Sequence, residues 1–299
     1  MWNFKAEQKK FEVGGVKVGG VPGERPVVLI GSIFYRGHEV VKDEEKLVID
    51  REKAEGLIKR QEELSDRTGN PCMVDVVASS PEAAVRFLGF VSEVTDSPML
   101  LDGADPSTRI AALSYASEVG LLSRLVYNSL SPDYSPDEIE KIKSVKLSTA
   151  LLLCLNKKDF GTRGRVAAAK SLIPIVHEAG ITRLIVDTVV LDIPTLGMAC
   201  MAIHQIKDEL GYPVGCGAHN AVAMWKGLET KMGLQAEKPS NAVACAMSVA
   251  AGADFVLYGP IENADYVFPT VSMMDASYAQ LAMEQGKRPD KSHPRFRIG

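Results

Sequence analysis

Acidic and carboxamide residues occur where short, strand-like apolar runs end. Asp102 ends the run Met99–Leu101, and Asp187 ends the run Arg183–Val186. The whole set comprises Asp75, Asp102, Asn128, Asn156, Asp187, Asn220, Glu262 and Asn263. A carboxylate accepts two N–H donors, and an amide both donates and accepts hydrogen bonds. Brought together, these residue types suit a neutral, flat heterocycle such as a 2-amino-4-oxo pyrimidine.

The same set disfavours a phosphate ligand, which is bound by Arg, Lys or free N–H groups. Lys157 and Lys158 are the only lysines directly at a strand end. Each acidic or amide residue also has a structural interpretation, since Asp and Asn after a strand commonly form turns or cap helices. Asp75 lies within its run, so it either faces inward or pairs locally. The functional prediction therefore depends on the coincidence of several polar strand ends.

Two histidines lie at comparable joints. His219 follows Gly215-Cys216-Gly217-Ala218, whose glycines allow a ligand to approach the backbone closely. Cys216 and His219 could form half of a metal site, but no second Cys/His pair stands at a workable spacing, so no protein-bound metal is predicted. His38 follows the first strand. We predict that His38, His219, Asp75, Glu262 and Asn263 support the loops or the site.

Eight strand-like runs alternate with helical segments and must position these residues. The strands are predicted at Val27–Ile33, Cys72–Val77, Met99–Leu101, Arg124–Tyr127, Thr149–Leu155, Arg183–Val186, Pro213–Cys216 and Asp254–Tyr258. The helices are predicted near Arg51–Thr68, Pro81–Thr95, Pro106–Val119, Pro136–Lys143, Arg163–Ala179, Pro194–Leu210, Asn220–Met232, Ser240–Ala251 and Met273–Gln285. This order predicts an α/β fold, a (β/α)8 TIM barrel. The alternative is an open, doubly wound sheet.

In such a barrel the active site lies at the carboxyl ends of the strands, where the polar set would meet. Residues 1–299 are predicted to form a single barrel domain. Within it, residues 8–20 form an N-terminal β-hairpin, because Phe11–Gly20 alternates around the pair Gly14-Gly15. We expect this hairpin to plug the amino-terminal end of the strands.

Composition excludes several classes of function. Apolar residues make up 46% and charged residues 24%, as in ordinary globular proteins. The net charge of −4 (34 − 38) without a basic stripe argues against nucleic-acid and membrane partners. The apolar run Leu147–Leu155 is too short to span a bilayer, and the first residues lack the apolar segment of a secretory signal. Five widely spaced cysteines favour a reducing, cytoplasmic location.

The chain resembles pterin-binding (β/α)8 methyltransferases, which move a methyl group between a corrinoid cobalt and N5 of a reduced pterin. The nearest group contains the H subunit of tetrahydromethanopterin S-methyltransferase and its soluble bacterial relative, the methylcorrinoid:tetrahydrofolate methyltransferase of glycine betaine demethylation. The matching stretches are Phe11–Val16, Phe34-Tyr35 with His38, Leu64–Asp66, Thr68–Pro71, Leu210–Gly215, His219-Asn220 and Leu257–Asn263. They span nearly the whole chain.

This resemblance implies roles for particular residues. Asp102 would hold the pyrimidine edge of the pterin, and Asn128, Asn156 and Asp187 match other pterin-binding positions. Asn220 would reach N5 and act as the catalytic residue. The resemblance also implies tetrahydrofolate as methyl acceptor in glycine betaine or methylamine catabolism, a corrinoid supplied by a separate protein, and a homodimer.

Three alternatives remain open from the sequence. The pterin could be tetrahydromethanopterin, with the chain acting as a subunit of that methyltransferase. Lys157 or Lys158 could instead form the Schiff base of an aldolase. The chain could also be a non-catalytic subunit that docks within a larger methyltransferase assembly.

Overall fold

The computed structural model describes residues 2–299. This part of the chain contains twelve strands and ten α-helices. The strands are β1 (Lys10–Val13), β2 (Val16–Gly19), β3 (Val28–Ile33), β4 (Val41–Asp43), β5 (Val48–Ile49), β6 (Cys72–Ala78), β7 (Met99–Gly103), β8 (Leu125–Leu130), β9 (Thr149–Leu153), β10 (Arg183–Asp187), β11 (Val214–Cys216) and β12 (Phe255–Pro260). The helices are α1 (Arg51–Thr68), α2 (Pro81–Val94), α3 (Pro106–Glu118), α4 (Pro136–Val145), α5 (Thr162–Glu178), α6 (Ile193–Leu210), α7 (Asn220–Ala223), α8 (Leu228–Met232), α9 (Glu237–Ala250) and α10 (Ala264–Glu284).

Eight parallel strands close into a barrel, in the order β3-β6-β7-β8-β9-β10-β11-β12 with β12 paired to β3. Helices separate the strands along the chain, which confirms the predicted (β/α)8 TIM barrel. The open, doubly wound sheet is therefore wrong, because the first and last barrel strands pair with each other. Within residues 2–299, no helix combines the length and apolarity that crossing a bilayer requires.

Local chemistry explains where several helices begin. The side chains of Ser80, Asp105 and Ser135 each accept a backbone N–H from the first turn of α2, α3 and α4, respectively. A proline follows each cap, at a position whose N–H has no partner inside a helix. These caps fix the point at which the chain leaves each strand end, and so they set the length of the loops around the mouth, the carboxyl-terminal end of the barrel.

The N-terminal hairpin closes the opposite end of the barrel, as predicted. Strands β1 and β2 pair antiparallel, and Val13 and Val18 are each only 1% exposed. Both valines join the apolar cluster inside the barrel, which includes Ile30 and Val126. The bottom of the barrel is therefore filled by side chains rather than open to solvent.

Two local predictions are wrong, and one element was not predicted at all. The single helix predicted for Asn220–Met232 is instead two short helices, α7 and α8, because the chain turns between them and α8 begins only after Gly227. The last helix begins at Ala264 instead of near Met273 and carries Pro269 within it. The sequence also gives no sign of the small antiparallel hairpin β4–β5, which lies between β3 and α1.

A buried carboxyl group ties the last helix to the first barrel strand. Asp275 of α10 accepts hydrogen bonds from the Val27 backbone N–H (2.9 Å) and from Nδ2 of Asn70 (2.6 Å). Burial raises the pKa of Asp275 to about 7, although both hydrogen bonds oppose the rise. This group therefore helps to close the barrel while remaining costly to ionise.

The Asp275→Asn variant tests this arrangement. The folded protein holds the proton of Asp275 up to about pH 7, whereas the unfolded chain releases it near pH 4. The free energy of unfolding should therefore fall by a few kcal/mol as the pH rises through this window, and Asp275→Asn should flatten the fall. Urea denaturation at several pH values measures it.

The matched control for this experiment is Asp96→Asn. The side chain of Asp96 is exposed, so its replacement should leave the pH dependence of unfolding unchanged. Equal pH dependence in wild type and Asp275→Asn would contradict the prediction.

Candidate functional site

Strand alternation turns a polar layer of side chains inward near the mouth. An apolar layer lies below it, formed by Val28, Ile30, Met73, Leu100, Val126, Leu151, Ile185, Phe255 and Leu257. Because side chains alternate between the two faces of a strand, the residue two positions further along also points inward. In β3, β6, β7, β8 and β10 that residue is Ser32, Asp75, Asp102, Asn128 and Asp187, respectively.

Asp75 lies in this polar layer and pairs with two neighbours. It accepts hydrogen bonds from the Ser32 hydroxyl (2.7 Å) and from Nδ2 of Asn128 (3.1 Å). Asp75 is 2% exposed, and burial raises its pKa to about 6 while the two hydrogen bonds lower it. The hydrogen bond also orients the Asn128 amide, so that its oxygen stays available as an acceptor.

Asp102 is the unpartnered carboxylate of the layer. It pairs in register with Asn128, is half-buried, and makes no side-chain hydrogen bond to any residue in the described range 2–299. Burial and the nearby charge of Asp75 raise the pKa of Asp102 well above its ordinary value, while Arg109 opposes the rise. A carboxyl group held in this way gains stability from a ligand that donates N–H groups to it.

Asp187 lies across the barrel interior from these groups. One of its oxygens accepts the Val189 backbone N–H at 2.6 Å. Burial raises the pKa of Asp187 to about 6, the Val189 hydrogen bond and the charge of Arg165 lower it, and the charge of Asp75 adds to the rise. All three side chains point inward by strand alternation, and the charge of Asp75 acts on both Asp102 and Asp187, so the three carboxyl groups face one shared chamber.

Two arginines beside this chamber were missed by the sequence reasoning, which found almost no cation there. Arg109 and Arg165 are each the fourth residue of their helices, α3 and α5, which follow strands β7 and β9 in the chain. An arginine in the first turn of such a helix is the signal that could have indicated them.

Neither arginine is free to hold a phosphate. Arg165 is 1% exposed and donates to the carbonyl groups of Thr188, Val189, Phe160 and Gly161. Arg109 donates to Glu138 (2.7 and 2.9 Å) and to the Gly103 carbonyl. Both side chains fix the loops at the mouth and moderate the pKa of a nearby aspartate.

Asn220 begins α7 at the mouth, with its amide uncommitted. It is half-buried, and its side chain forms no hydrogen bond with any residue from 2 to 299. A Cβ at Gly217 would lie 3.2 Å from Nδ2 of Asn220, so the glycine leaves room for the amide. The neighbouring His219 instead donates from Nδ1 to the Leu257 carbonyl (3.2 Å), and burial lowers its pKa.

His38 joins two loops at the mouth. Its Nδ1 accepts the Phe34 backbone N–H at 2.9 Å, so Nε2 carries the proton that it donates to Glu262 at 2.7 Å. This hydrogen bond lowers the pKa of Glu262 against the effect of burial. Asn263 lies next to Glu262, half-buried at the start of α10.

Two predicted positions lie in the loop that follows β9. The Oδ1 of Asn156 accepts the Lys158 backbone N–H at 3.0 Å, so part of its amide is used in a local turn. The side chain of Lys157 is 68% exposed and pairs with Asp133 at 2.8 Å. Lys157 therefore lacks the apolar surroundings that activate a Schiff-base lysine.

The arrangement suits an organic ligand rather than a metal ion. Within residues 2–299, no group of three or more His, Cys, Asp or Glu side chains is placed to hold a metal ion. Asp102, one oxygen of Asp187 and the Asn128 carbonyl oxygen present acceptors to the chamber, and Asn220 adds an amide at its edge. Such a chamber can hold a flat molecule that carries several N–H donors.

Comparisons with known proteins identify the family. The family described as "Tetrahydromethanopterin S-methyltransferase MtrH subunit" matches residues 6–289. The corresponding MtrH protein of Methanothermobacter thermautotrophicus, named for the same methyltransferase, is 39% identical over 309 residues and covers 100% of both chains. The equivalent component of a putative mtx methyltransferase of Methanosarcina mazei is 36% identical and covers 98% of each chain.

Solved structures match the fold at much lower identity. The dihydropteroate synthase of Yersinia pestis, solved with a pterine–sulfa conjugate, has a TM-score of 0.63 at 11% identity and covers 91% of this chain and 100% of its own. At that identity the likeness concerns the barrel alone. The family match and the full-length relatives are stronger evidence. They show that the chain belongs to the MtrH family of tetrahydromethanopterin S-methyltransferase subunits.

Proposed function

We propose that this chain is a methyltransferase that binds a tetrahydropterin in the mouth of the barrel and moves a methyl group between a corrinoid and the pterin N5. The main observation that supports this proposal is Asp102, a half-buried carboxylate without a hydrogen-bond partner within residues 2–299. The 2-amino and N3–H groups of a pterin are two adjacent donors that match its two oxygens. Membership of the MtrH family supports the same assignment.

The reaction needs positioning more than acid–base catalysis. When the methyl group moves to the pterin, the lone pair of N5 forms the N–C bond and the Co–C bond breaks, leaving both electrons on cobalt as Co(III) becomes Co(I). N5 then loses its proton to water. Asp102 and Asp187 would hold the pyrimidine edge, while Asn220 would orient N5 and stabilise the positive charge that develops on it.

The relatives support tetrahydromethanopterin better than the predicted tetrahydrofolate as the pterin. The full-length relatives of Methanothermobacter thermautotrophicus and Methanopyrus kandleri are named for tetrahydromethanopterin, at 39% and 37% identity. We therefore propose tetrahydromethanopterin or a close analogue as the first choice. Tetrahydrofolate and a place in glycine betaine catabolism stay predictions from the sequence.

The corrinoid is proposed to arrive on a separate protein that docks over the mouth, because the sequence contains no Asp-x-His-x-x-Gly segment of the kind that supplies a histidine ligand to cobalt. The relatives are named as subunits, which supports work within an assembly. The homodimer stays a prediction. The five cysteines are unpaired, which suits the predicted reducing, cytoplasmic setting.

Replacing the two aspartates tests the binding site. Asp102→Ala and Asp187→Ala should each weaken tetrahydropterin binding roughly tenfold or more, because a charge-assisted hydrogen bond contributes about 1.5–3 kcal/mol. Calorimetry with tetrahydromethanopterin and tetrahydrofolate measures both variants and ranks the two pterins. Unchanged affinity in both variants would refute the assignment.

Lys157→Ala is the control for those variants and also tests the aldolase alternative. Because Lys157 lies on the surface beside Asp133, its removal should change neither pterin binding nor methyl transfer. Borohydride trapping of Lys157 with a carbonyl substrate would instead support the Schiff-base enzyme.

Asn220→Ala should separate catalysis from binding. We expect the rate of methyl transfer from methylcobalamin to fall roughly tenfold or more while pterin affinity changes little, because the amide acts on charge that forms during the reaction. Absorbance of the cobalt centre follows the reaction. A wild-type chain that binds pterin but transfers no methyl from methylcobalamin or a methylated corrinoid protein would favour the non-catalytic role.

Binding should also release a proton from Asp102. Its pKa is raised in the free protein, and two N–H donors from the pterin stabilise the ionised carboxylate, so affinity should increase as the pH rises toward that pKa. Calorimetry in two buffers of different protonation enthalpy detects the released proton. In Asp102→Asn the buffer dependence should disappear, and its persistence there would assign the proton to another group.

A further inference from the structure

A fully buried carboxylate lies outside the chamber, on the helix side of the barrel wall. Glu138 belongs to the first turn of α4 and is 1% exposed. Its Oε1 accepts the Tyr127 hydroxyl at 2.6 Å, and its Oε2 accepts the Ser135 backbone N–H at 2.8 Å. None of these residues takes part in the proposed reaction. Burying a charge is costly unless an opposite charge compensates it, so the position of that second charge matters.

Arg109 of α3 provides the opposite charge. Its Nε and Nη2 atoms both donate to Oε1 of Glu138, at 2.9 and 2.7 Å, and its side chain is 14% exposed. Every polar contact that the Glu138 carboxylate makes within residues 2–299 is with a donor, so this group carries a negative charge, and the guanidinium carries a positive one. The two charges form a buried pair, and at a distance their fields largely cancel.

The same arginine also reaches the end of β7. Its Nη1 donates to the Gly103 carbonyl at 2.7 Å, and Gly103 directly follows Asp102. A Cβ at Gly103 would lie only 2.6 Å from Cγ of Arg109, so the glycine lets the arginine cross the strand end closely. The guanidinium is therefore held against the residue next to the carboxylate on which the proposed function depends.

The charges around Asp102 single out Arg109. Burial and the charge of Asp75, on β6, raise the pKa of Asp102, and Arg109 opposes the rise. The neighbouring strand β8 faces Asp102 with an uncharged amide. On the remaining side, Arg36 and Glu44 line a cavity beside it, but both are exposed and opposite in sign, so water and salt screen them. Arg109 is thus the cation that acts on the ionisation of Asp102.

We propose that Glu138 is a positioning residue that holds Arg109 against the end of β7 and offsets its charge, and that it thereby sets the pH above which Asp102 is ionised and binds the tetrahydropterin. The inference rests on the proposed function and adds how that site is tuned to pH. With Glu138 in place, only part of the positive charge of Arg109 acts on Asp102. Without it, the full charge of the guanidinium would favour the ionised carboxylate in the free protein.

Removing either charge of the pair should move the pH profile of pterin binding, in opposite directions. In the wild type, affinity rises with pH and levels off once Asp102 is ionised. The pH at which it levels off should fall by roughly one unit in Glu138→Gln and rise by roughly one unit in Arg109→Gln. Calorimetry with tetrahydromethanopterin or tetrahydrofolate at a series of pH values measures both shifts.

The double variant Glu138→Gln/Arg109→Gln removes both charges together. Because the lost charges offset each other, its profile should lie between those of the single variants and close to that of the wild type. Opposite shifts that cancel in this way distinguish a charge effect from a packing defect, which would weaken binding in each variant at every pH. Thermal unfolding checks that the variants are folded, and either single variant decides the matter alone if the other does not fold.

Two controls leave this charge balance unaltered. Tyr127→Phe removes one hydrogen bond to Glu138 but keeps both charges of the pair. Glu209→Gln removes a carboxylate whose side chain is 40% exposed and pairs with Lys170 at 2.7 Å on the outer surface. Both substitutions should leave unchanged the pH at which affinity levels off.

Shifts of the same sign in the two single variants, or a profile that stays in place in both, would overturn the inference, and the pair would then be a structural tie between α3 and α4. The proposed function fails separately, if the wild-type chain binds no tetrahydropterin or if Asp102→Ala and Asp187→Ala both bind it unchanged. If Asp102→Ala loses binding while both single variants of the pair keep the wild-type profile, the proposed function stands and only this inference is wrong.

Discussion

The interior of the closed barrel is filled by the inward-pointing side chains of its eight strands. Strand alternation decides which residues these are. Because the period is two residues, shifting any barrel strand by one position would exchange its inward and outward sets. In β6 such a shift would turn Asp75 toward the helices and Val74 into the chamber. The register of the sheet, set by the outward apolar residues under the helices, is therefore what assembles the polar layer at the mouth.

That layer costs stability, and the surrounding groups limit the cost. Three carboxyl groups with raised pKa values share one chamber, and burial is the main cause in each. Ser32 and Asn128 satisfy Asp75, and Arg165 moderates Asp187 from behind the loop carbonyls. Among these three carboxyl groups, only that of Asp102 makes no hydrogen bond to any residue from 2 to 299. Buried groups left uncompensated in this way are typical of binding sites, where the ligand completes the set.

Much of the fold could be predicted from the sequence because the signals are local. Apolar runs mark the barrel strands, and the pairs Ser80-Pro81 and Asp105-Pro106 mark helix starts through capping chemistry that involves only a few neighbouring residues. The polar strand ends were found for the same reason, since register carries Asp102 and Asn128 to one level. Their roles in binding stay predictions.

What could not be predicted depends on contacts between distant parts of the chain. Arg165 is separated from Thr188 by more than twenty positions, and its burial among loop carbonyls has no local pattern. The β4–β5 hairpin is short and gains its order from His38 and Glu262, which lie at opposite ends of the sequence. A single helix was predicted for Asn220–Met232 because its apolar residues follow helical spacing. The prediction was wrong because a turn before Gly227 interrupts the helix.

The hairpin that seals the amino-terminal end of the barrel determines how ligands can enter and leave the chamber. With Val13 and Val18 filling the floor, the chamber is a well with a single entrance. Two molecules that share such a well must therefore come and go in a fixed order. The one bound deepest enters first and leaves last, and anything seated across the rim blocks both directions until it departs.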